Sequence, residues 1–273
     1  MIEKRKLFIL AVAILVVFIL DFPVYWMLVQ SITGESMFTE NPSLLPRTPS
    51  LASYRRIIEA KPIGLWLKNT SIVAFGCLAL SLPMACTAAF SLSRFKTRLN
   101  SITGVGILAT QMLSASLLVI PIYVVFRQTG MLNSLGGLIV ANMAFTLPLS
   151  IWVLKGFFDG IPKELDEAAM IDGCNVFQTF VRVIVPLVIP GLVAVAIFSF
   201  ILAWDEFFFA RTLMGSESTW VMSVGLSSFK EEFTINWTDL MAATVLFTIP
   251  PTILFMLIQK HLVSGLTGGA VKG

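Results

Sequence analysis

The sequence contains little charge, a single histidine and few cysteines. Only 13% of its 273 residues are Asp, Glu, Lys or Arg, against about 25% in a soluble domain, and 56% are hydrophobic. The lone histidine, His261, cannot form a histidine metal cluster, and with one histidine no Ser–His–Asp triad is expected. The cysteines, Cys77, Cys86 and Cys174, are scattered without metal-ligand or disulfide-framework spacing. These absences argue against an intramembrane enzyme and predict a membrane protein with several spans.

A phosphate-binding loop is missing as well. The pattern Gly-x-x-x-x-Gly-Lys-Ser/Thr occurs nowhere in the chain. We therefore expect a non-catalytic subunit with no cofactor of its own. If this chain takes part in an ATP-driven process, the ATP and magnesium must be bound by a separate partner subunit. The formal net charge of +3 is too small to indicate a nucleic-acid partner.

Six long apolar runs are present, each close to the roughly 20 residues that a helix needs to cross a bilayer. They predict an all-α membrane protein, with a single transmembrane domain over residues 1–273. The predicted spans cover residues 7–30, 65–92, 102–126, 136–158, 184–210 and 240–262.

The distribution of Lys and Arg predicts which side of the membrane each loop occupies. Two short basic clusters, at residues 4–6 and 94–98, fall on the same side of a six-span chain. Cytoplasmic loops are enriched in Lys and Arg, so both termini are predicted to be cytoplasmic. The external loops are then 31–64 and 211–239, and the cytoplasmic segments are 159–183 and 263–273.

A polar stretch between the fourth and fifth predicted spans carries strong helix signals. Glu164, Asp166 and Glu167 fall in the first turns of a helix, where the helix dipole favours negative charge. Gly173 can take the left-handed conformation that ends a helix, and Asn175 can cap a second one. The pattern predicts an exposed helix–turn–helix knob that is rigidly attached to the spans.

This stretch resembles the cytoplasmic EAA loop of ABC importer permeases. Glu167-Ala168-Ala169, Gly173 and Pro186 match the family pattern at its spacing, while Val183 and Val185 replace an Ile and a Leu. The resemblance implies a coupling helix that docks to an ATPase subunit. The implied coupling residues are Glu164, Glu167, Ala168, Ala169, Met170, Ile171, Asp172 and Gly173.

The last residues form a glycine-rich tail, which we expect not to extend a helix because glycine is a poor helix former. Residues 265–273 closely resemble the Gly-Leu-Thr-x-Gly-Ala-Val-Lys-Gly ending of carbohydrate importer permeases of the maltose and trehalose type. The resemblance implies that the tail reaches the ATPase subunits. The residues it assigns to that contact are Leu266, Thr267, Gly268, Gly269 and Lys272.

Polar groups at membrane depth are candidates for a solute path. Trp204, Asp205 and Glu206 could line such a path, with carboxylates for sugar hydroxyls and an aromatic ring for the apolar face of a sugar. Alternatively, the two carboxylates lie at the interface and anchor a helix end. Asn142 and Gln111 are further path candidates, with interhelical hydrogen bonding as the alternative.

The resemblance covers most of the chain and implies a maltose-type permease subunit of a carbohydrate ABC importer in a prokaryotic cell membrane. The implied partners are a second related permease, two ATPase subunits that bind ATP and magnesium, and an extracellular solute-binding protein that meets residues 212–239. The implied substrate is a di- or oligosaccharide such as trehalose or maltose. Two alternatives stay open: a secondary transporter driven by an ion gradient, and a membrane assembly protein without a path.

Overall fold

The computed structural model describes residues 2–33, 44–45, 49–229 and 236–270. Within these ranges all regular structure is helical and no strand occurs, which confirms the all-α class. The helices are α1 Ile2–Ser31, α2 Ala52–Ala60, α3 Ile63–Arg94, α4 Arg98–Thr110, α5 Ala115–Thr129, α6 Leu135–Asp159, α7 Glu164–Ile171, α8 Val176–Leu187, α9 Ile189–Trp204, α10 Phe208–Leu213, α11 Met222–Ser227 and α12 Trp237–Ala270. The middle of α8, Thr179–Ile184, is π-helical, and Glu217–Thr219 form a short 3-10 helix.

Four continuous segments are long and apolar enough to cross a membrane. Two further spans result if each of two bent helix pairs, α4 with α5 and α8 with α9, is counted as one. The structure therefore holds four to six candidate spans, and the number six and the cytoplasmic position of the termini stay predictions. The four continuous segments are Arg5–Ser31, Ile63–Arg94, Leu135–Asp159 and Trp237–Gln259.

The spans predicted at 102–126 and 184–210 are wrong as single helices. In the first, α4 and α5 meet at an angle of 104°, and the Oγ of Ser114 caps α5 by accepting the N–H of Ser116. In the second, α8 and α9 meet at 77° around Val188. Pro190 lies in the first turn of α9 and has no N–H, so it cannot continue the helical hydrogen bonding of α8, which explains this break.

The glycine-rich tail continues the last helix, so the prediction that it is not helical is also wrong. Helix α12 runs without interruption to Ala270. Each glycine costs a helix only about 1 kcal/mol relative to alanine, and adding a residue to an existing helix needs no new nucleus. The predicted contact residue Lys272 lies outside the described residues.

Cα packing divides the chain into two compact units, of which the first joins Met1–Leu65 to Gly225–Pro250. Its two segments are held together by Arg56, whose Nη2 and Nε donate to the carboxylate of Asp239 at 2.7 to 3.1 Å. This bidentate ion pair connects α2 to the first turn of α12.

The second unit, Trp66–Val224 with Pro251–Gly273, contains two apolar cores. One core surrounds Leu138 near the start of α6, and the other surrounds Phe158 at its end. Small residues let helices pack closely against α6: a Cβ on Gly191 of α9 would lie 2.5 Å from the ring of Phe157. The second core supports the predicted knob.

Candidate functional site

The first helix of the knob, α7, ends in the left-handed turn that the sequence predicts. Gly173 has a φ of +89°. Its N–H donates to the carbonyl of Met170 at 3.1 Å, and the N–H of Cys174 donates to the carbonyl of Ala169 at 3.0 Å. This pair of bonds is a Schellman motif, in which glycine is favoured because it has no Cβ to strain.

The second helix of the knob, α8, starts at a reciprocal cap only two residues later. The Oδ1 of Asn175 accepts the N–H of Gln178 at 2.9 Å, and the Oε1 of Gln178 accepts the N–H of Asn175 at 3.0 Å. Such a capping box satisfies two otherwise free N–H groups. The turn between the two helices is therefore fixed by the backbone and by local side chains on both sides.

A charge contact attaches α7 to the ends of two spans. The Nε of Arg94, at the end of α3, lies 2.9 Å from Oδ2 of Asp166, and both side chains are largely buried. This contact is a close charge pair rather than an aligned hydrogen bond. The other guanidinium nitrogens donate to the carbonyls of Phe158 at 3.1 Å and Ile161 at 3.2 Å. One side chain therefore joins α3, the end of α6 and the knob.

Aromatic packing attaches α8 to the same two spans. The ring of Phe180 lies with its centroid 4.7 Å from that of Phe90 on α3 and 6.5 Å from that of Phe158 on α6. Phe158 is fully buried, and Ile184 lies in the same core. Aromatic pairs at such distances add to the free energy of burial. At this end of the bundle, α7 is thus attached by a charge contact and α8 by aromatic packing.

The outer face of the knob exposes large apolar side chains. Ile171 is 86% exposed and Phe177 is 72% exposed, and Met170 and Val176 are also exposed. Exposed apolar residues of this size on a polar segment are candidates for contact with another protein or with the membrane. Among the predicted coupling residues, Ala169 is the one that is buried; the remaining exposed members are Glu164, Glu167, Ala168, Asp172 and Gly173.

A cleft of about 170 Å³ lies between α7 and the end of α3. Its lining combines apolar side chains, such as Phe95 and Met170, with the charged side chains of Lys163 and Glu167. A mixed lining of this kind can receive an apolar side chain of a partner while the charges fix its orientation.

The predicted path residues near the end of α9 have three different environments. Trp204 is 1% exposed and packs against Phe200 at a centroid distance of 5.3 Å, so it belongs to the interior of this chain. Asp205 is exposed directly after the helix. The carboxylate of Glu206 accepts the N–H groups of Phe209 at 2.7 Å and Ala210 at 2.9 Å. Glu206 therefore caps α10, which fits the predicted anchoring alternative.

The two amide side chains that were predicted to line the path, Asn142 and Gln111, also have different environments. Asn142 is buried in α6, and its Nδ2 has no hydrogen-bond acceptor among the described residues. Gln111 is exposed at the bend between α4 and α5, where its Nε2 donates to the carbonyl of Phe145 at 3.3 Å. Gln111 thus makes the interhelical bond that was the alternative, whereas the amide of Asn142 keeps a free donor.

At the opposite end of this unit, Asn133 holds a long loop in place. Its Oδ1 accepts hydrogen bonds from the N–H groups of Gly215 and Ser216 at 3.1 Å and from the hydroxyl of Thr219 at 2.6 Å. The backbone of Asn133 is left-handed, with a φ of 56°. Asn69 supports the same loop by donating to the carbonyls of residues 218 and 220.

Residues 81–268 match the protein family described as the inner membrane component of binding-protein-dependent transport systems. The matched region contains the knob, both of its anchors and the bent pairs. The chain belongs to this family. It is thus a multi-pass membrane subunit of an ABC transporter.

Relatives of this permease extend over nearly its whole length. It is 40% identical over 258 residues, 93% of this chain and 92% of the relative, to the diacetylchitobiose uptake system permease protein DasC of Streptomyces coelicolor. It is 35% identical over 273 residues, 99% of this chain and 98% of the relative, to the trehalose/maltose transport system permease protein MalG of Thermococcus litoralis.

The fold of the permease also matches a solved structure. A chain of a bacterial ABC transporter involved in the import of the acidic polysaccharide alginate superposes with a TM-score of 0.80 at 24% identity. The match covers 94% of this chain and 97% of the other.

The anchors of the knob are the residues of this permease that sequence reasoning missed. Arg94 was predicted only as part of a basic cluster beside a span, and Phe180 was not assigned a role. Their partners lie 22 to 90 positions away along the chain. A sequence signal was nevertheless present, because an Arg at the end of one helix and acids at the start of another are complementary.

Proposed function

We propose that this chain is a permease subunit of an ATP-driven sugar importer in a prokaryotic cell membrane. In this proposal it forms half of the translocation path and takes its driving force from a separate ATPase through α7 and α8. The observation that carries the proposal is the knob itself: an exposed apolar surface on a segment that is anchored to two spans by Arg94 and Phe180.

The proposed mechanism is a rigid lever. ATP binding closes two ATPase subunits, which carry the ATP and magnesium, and their closure displaces the exposed face of α7. Because Arg94 contacts Asp166 and two carbonyls at the end of α6, this displacement is passed to α3 and α6 without bending at the turn. The spans then alternate between inward-facing and outward-facing states, as alternating access requires.

The proposed assembly contains a second related permease, two ATPase subunits and an extracellular solute-binding protein. A binding-protein partner is supported by the family description, and an ATPase partner by the absence of a phosphate loop from this sequence. We assign the binding-protein contact to the loop that Asn133 fixes, because a pre-ordered surface loses less entropy on binding. The tail residues Leu266, Thr267, Gly268, Gly269 and Lys272 remain our candidates for a second ATPase contact.

The proposed substrate is a di- or oligosaccharide. The relatives named for diacetylchitobiose and for trehalose and maltose both carry saccharide names, which supports the sugar class. Trehalose or maltose is our specific proposal, since the tail resembles permeases of that type. Within this chain, Asn142 is the favoured path residue because its Nδ2 has no acceptor among the described residues. Asp205 remains a second candidate.

Gentle purification of the tagged chain from its native membrane, followed by mass spectrometry, tests the proposal. We expect recovery of an ATPase with a phosphate loop, a second multi-span permease and a binding protein that can then be screened against sugars. Recovery of the intact chain alone, even after cross-linking, would favour a self-sufficient carrier. Uptake that an ionophore abolishes at constant ATP would point to the same alternative.

A further inference from the structure

An open pocket of about 640 Å³ lies beside the turn that joins α3 to α4. Its wall contains the side chains of Lys96, Arg98 and Lys155, so three cations face one space. The carboxylate of Asp159 is already held by the Nζ of Lys155 at 2.5 Å and by the hydroxyl of Ser93 at 2.6 Å. Lys96 and Arg98 are exposed and have no ion-pair partner in the described part of the chain.

Neutral donors in the same wall also favour an anion. The Nε1 of Trp152 is buried and has no acceptor among the residues that the structure describes. The ring of Trp152 lies 5.7 Å from the Nζ of Lys155, an arrangement that keeps this cation beside the pocket. Helix α4 begins at Arg98, so the positive end of its dipole also lies at the pocket.

The remaining wall is apolar and continues along a helix face. Leu92, Phe95 and Val105 line the pocket, and Val105 and Ile102 of α4 are exposed. Helix α4 is part of a bent pair that is apolar enough to span a membrane. A ligand with both an anionic group and hydrocarbon chains fits this combination better than a small soluble anion does.

We propose that this pocket binds the phosphate of an anionic phospholipid. Lys96 and Arg98 supply the positive charge, the indole N–H of Trp152 donates a hydrogen bond, and the acyl chains follow the exposed face of α4. Basic pockets between membrane helices are known to suit anionic headgroups, and tryptophan is common at the depth of lipid headgroups. The site is a different pocket from the cleft beside α7, although Phe95 lines both, and it contains none of the proposed sugar-path residues.

Native mass spectrometry of the full chain in detergent, titrated with dioleoylphosphatidylglycerol, tests the proposal. The double variant K96Q/R98Q is expected to weaken the tightest bound lipid by on the order of 25-fold, because each cation near a membrane contributes about a factor of five. The variant W152F retains the ring and loses the donor, so we expect about tenfold weaker binding. Dioleoylphosphatidylcholine, which has no net charge, is expected not to compete.

The matched control is R5Q/K6Q, which removes two cations near the start of α1. This variant should retain the tight lipid. The proposal would be overturned if both double variants weakened lipid binding equally, or if neither variant weakened it. In either case the affinity for the lipid would not come from this pocket. Inorganic phosphate is titrated in the same assay and should not displace the lipid. Displacement by millimolar inorganic phosphate would instead assign the pocket to a soluble anion.

Discussion

Substitution of Gly173 tests whether the turn of the knob must keep its shape for ATP to drive transport. Its φ of +89° lies in the left-handed region, yet a Cβ added there would meet no atom within 4 Å. Within this chain, a substitution of Gly173 therefore acts through backbone strain and not through a steric clash. A non-glycine residue in this conformation costs about 1–2 kcal/mol, and a β-branched residue costs more. The variant G173V should therefore reduce the population of the native turn by at least roughly 5- to 30-fold.

We expect G173V to show a matching loss in the amount of ATPase that co-purifies and in sugar uptake by proteoliposomes of the reconstituted complex. The variant G173N is the informative control, because asparagine tolerates the left-handed conformation and should retain most of both activities. A second control is G156V, at a glycine inside α6 where a Cβ also meets nothing.

Two results would refute this reasoning. If G173V docks and transports like the parent protein, the turn does not need its present shape, and the lever mechanism is wrong. If G173N fails as badly as G173V, the position must be in direct contact with the ATPase, and backbone strain is not the cause.

Three further substitutions test the anchors and helix contacts. R94Q removes the ion pair with Asp166 and the hydrogen bonds to two carbonyls. Hydrogen bonds to charged groups contribute about 1.5–3 kcal/mol, so uptake per ATP should fall at least about tenfold. The ATPase should still co-purify. G191A brings a Cβ to 2.5 Å from the ring of Phe157, so the free energy of unfolding should fall by about 1–3 kcal/mol, seen as a lower melting temperature in detergent. E206A removes the cap of α10 and should cost about 0.5–2 kcal/mol in the same melting assay, whereas E206Q should retain part of it.

Each of these predictions has its own control. R5Q removes an exposed cation near the start of α1 that belongs to neither the knob nor the lipid pocket, and it should leave uptake per ATP unchanged. G156A adds a methyl group where no atom lies within 4 Å, and it should not lower the melting temperature. Full uptake per ATP in R94Q would show that Arg94 does not transmit the motion. A melting temperature of G191A equal to that of the parent would show that the ring of Phe157 moves aside freely.

Local features of the site were predictable from the sequence because their causes lie within a few residues of one another. Gly173 ends α7 and Asn175 caps α8 through partners no more than five positions away, so the helix–turn–helix could be recognised before its structure. The same holds for the all-α class, which follows from the long apolar runs alone.

Features that depend on distant partners could not be predicted. The attachment of the knob depends on Arg94 and Phe180, whose contacts join separate spans. The break at Val188 was missed because an apolar run has the same hydropathy whether or not its helix bends. The burial of Trp204 was not predicted for a related reason: a sequence shows that a residue is aromatic, but whether it is buried against Phe200 depends on how the chain packs.

The hydrogen bonds between Asn133 and the loop at residues 213–219 have a consequence for proteolysis. Gly215, Glu217 and Ser218 are exposed, and an exposed polar loop is normally a preferred site of cleavage. A protease must draw an extended stretch of backbone into its active site, which here would require breaking the bonds from Gly215, Ser216 and Thr219 to one amide oxygen. We therefore expect this loop to survive limited digestion of the folded protein, although three of its residues are exposed.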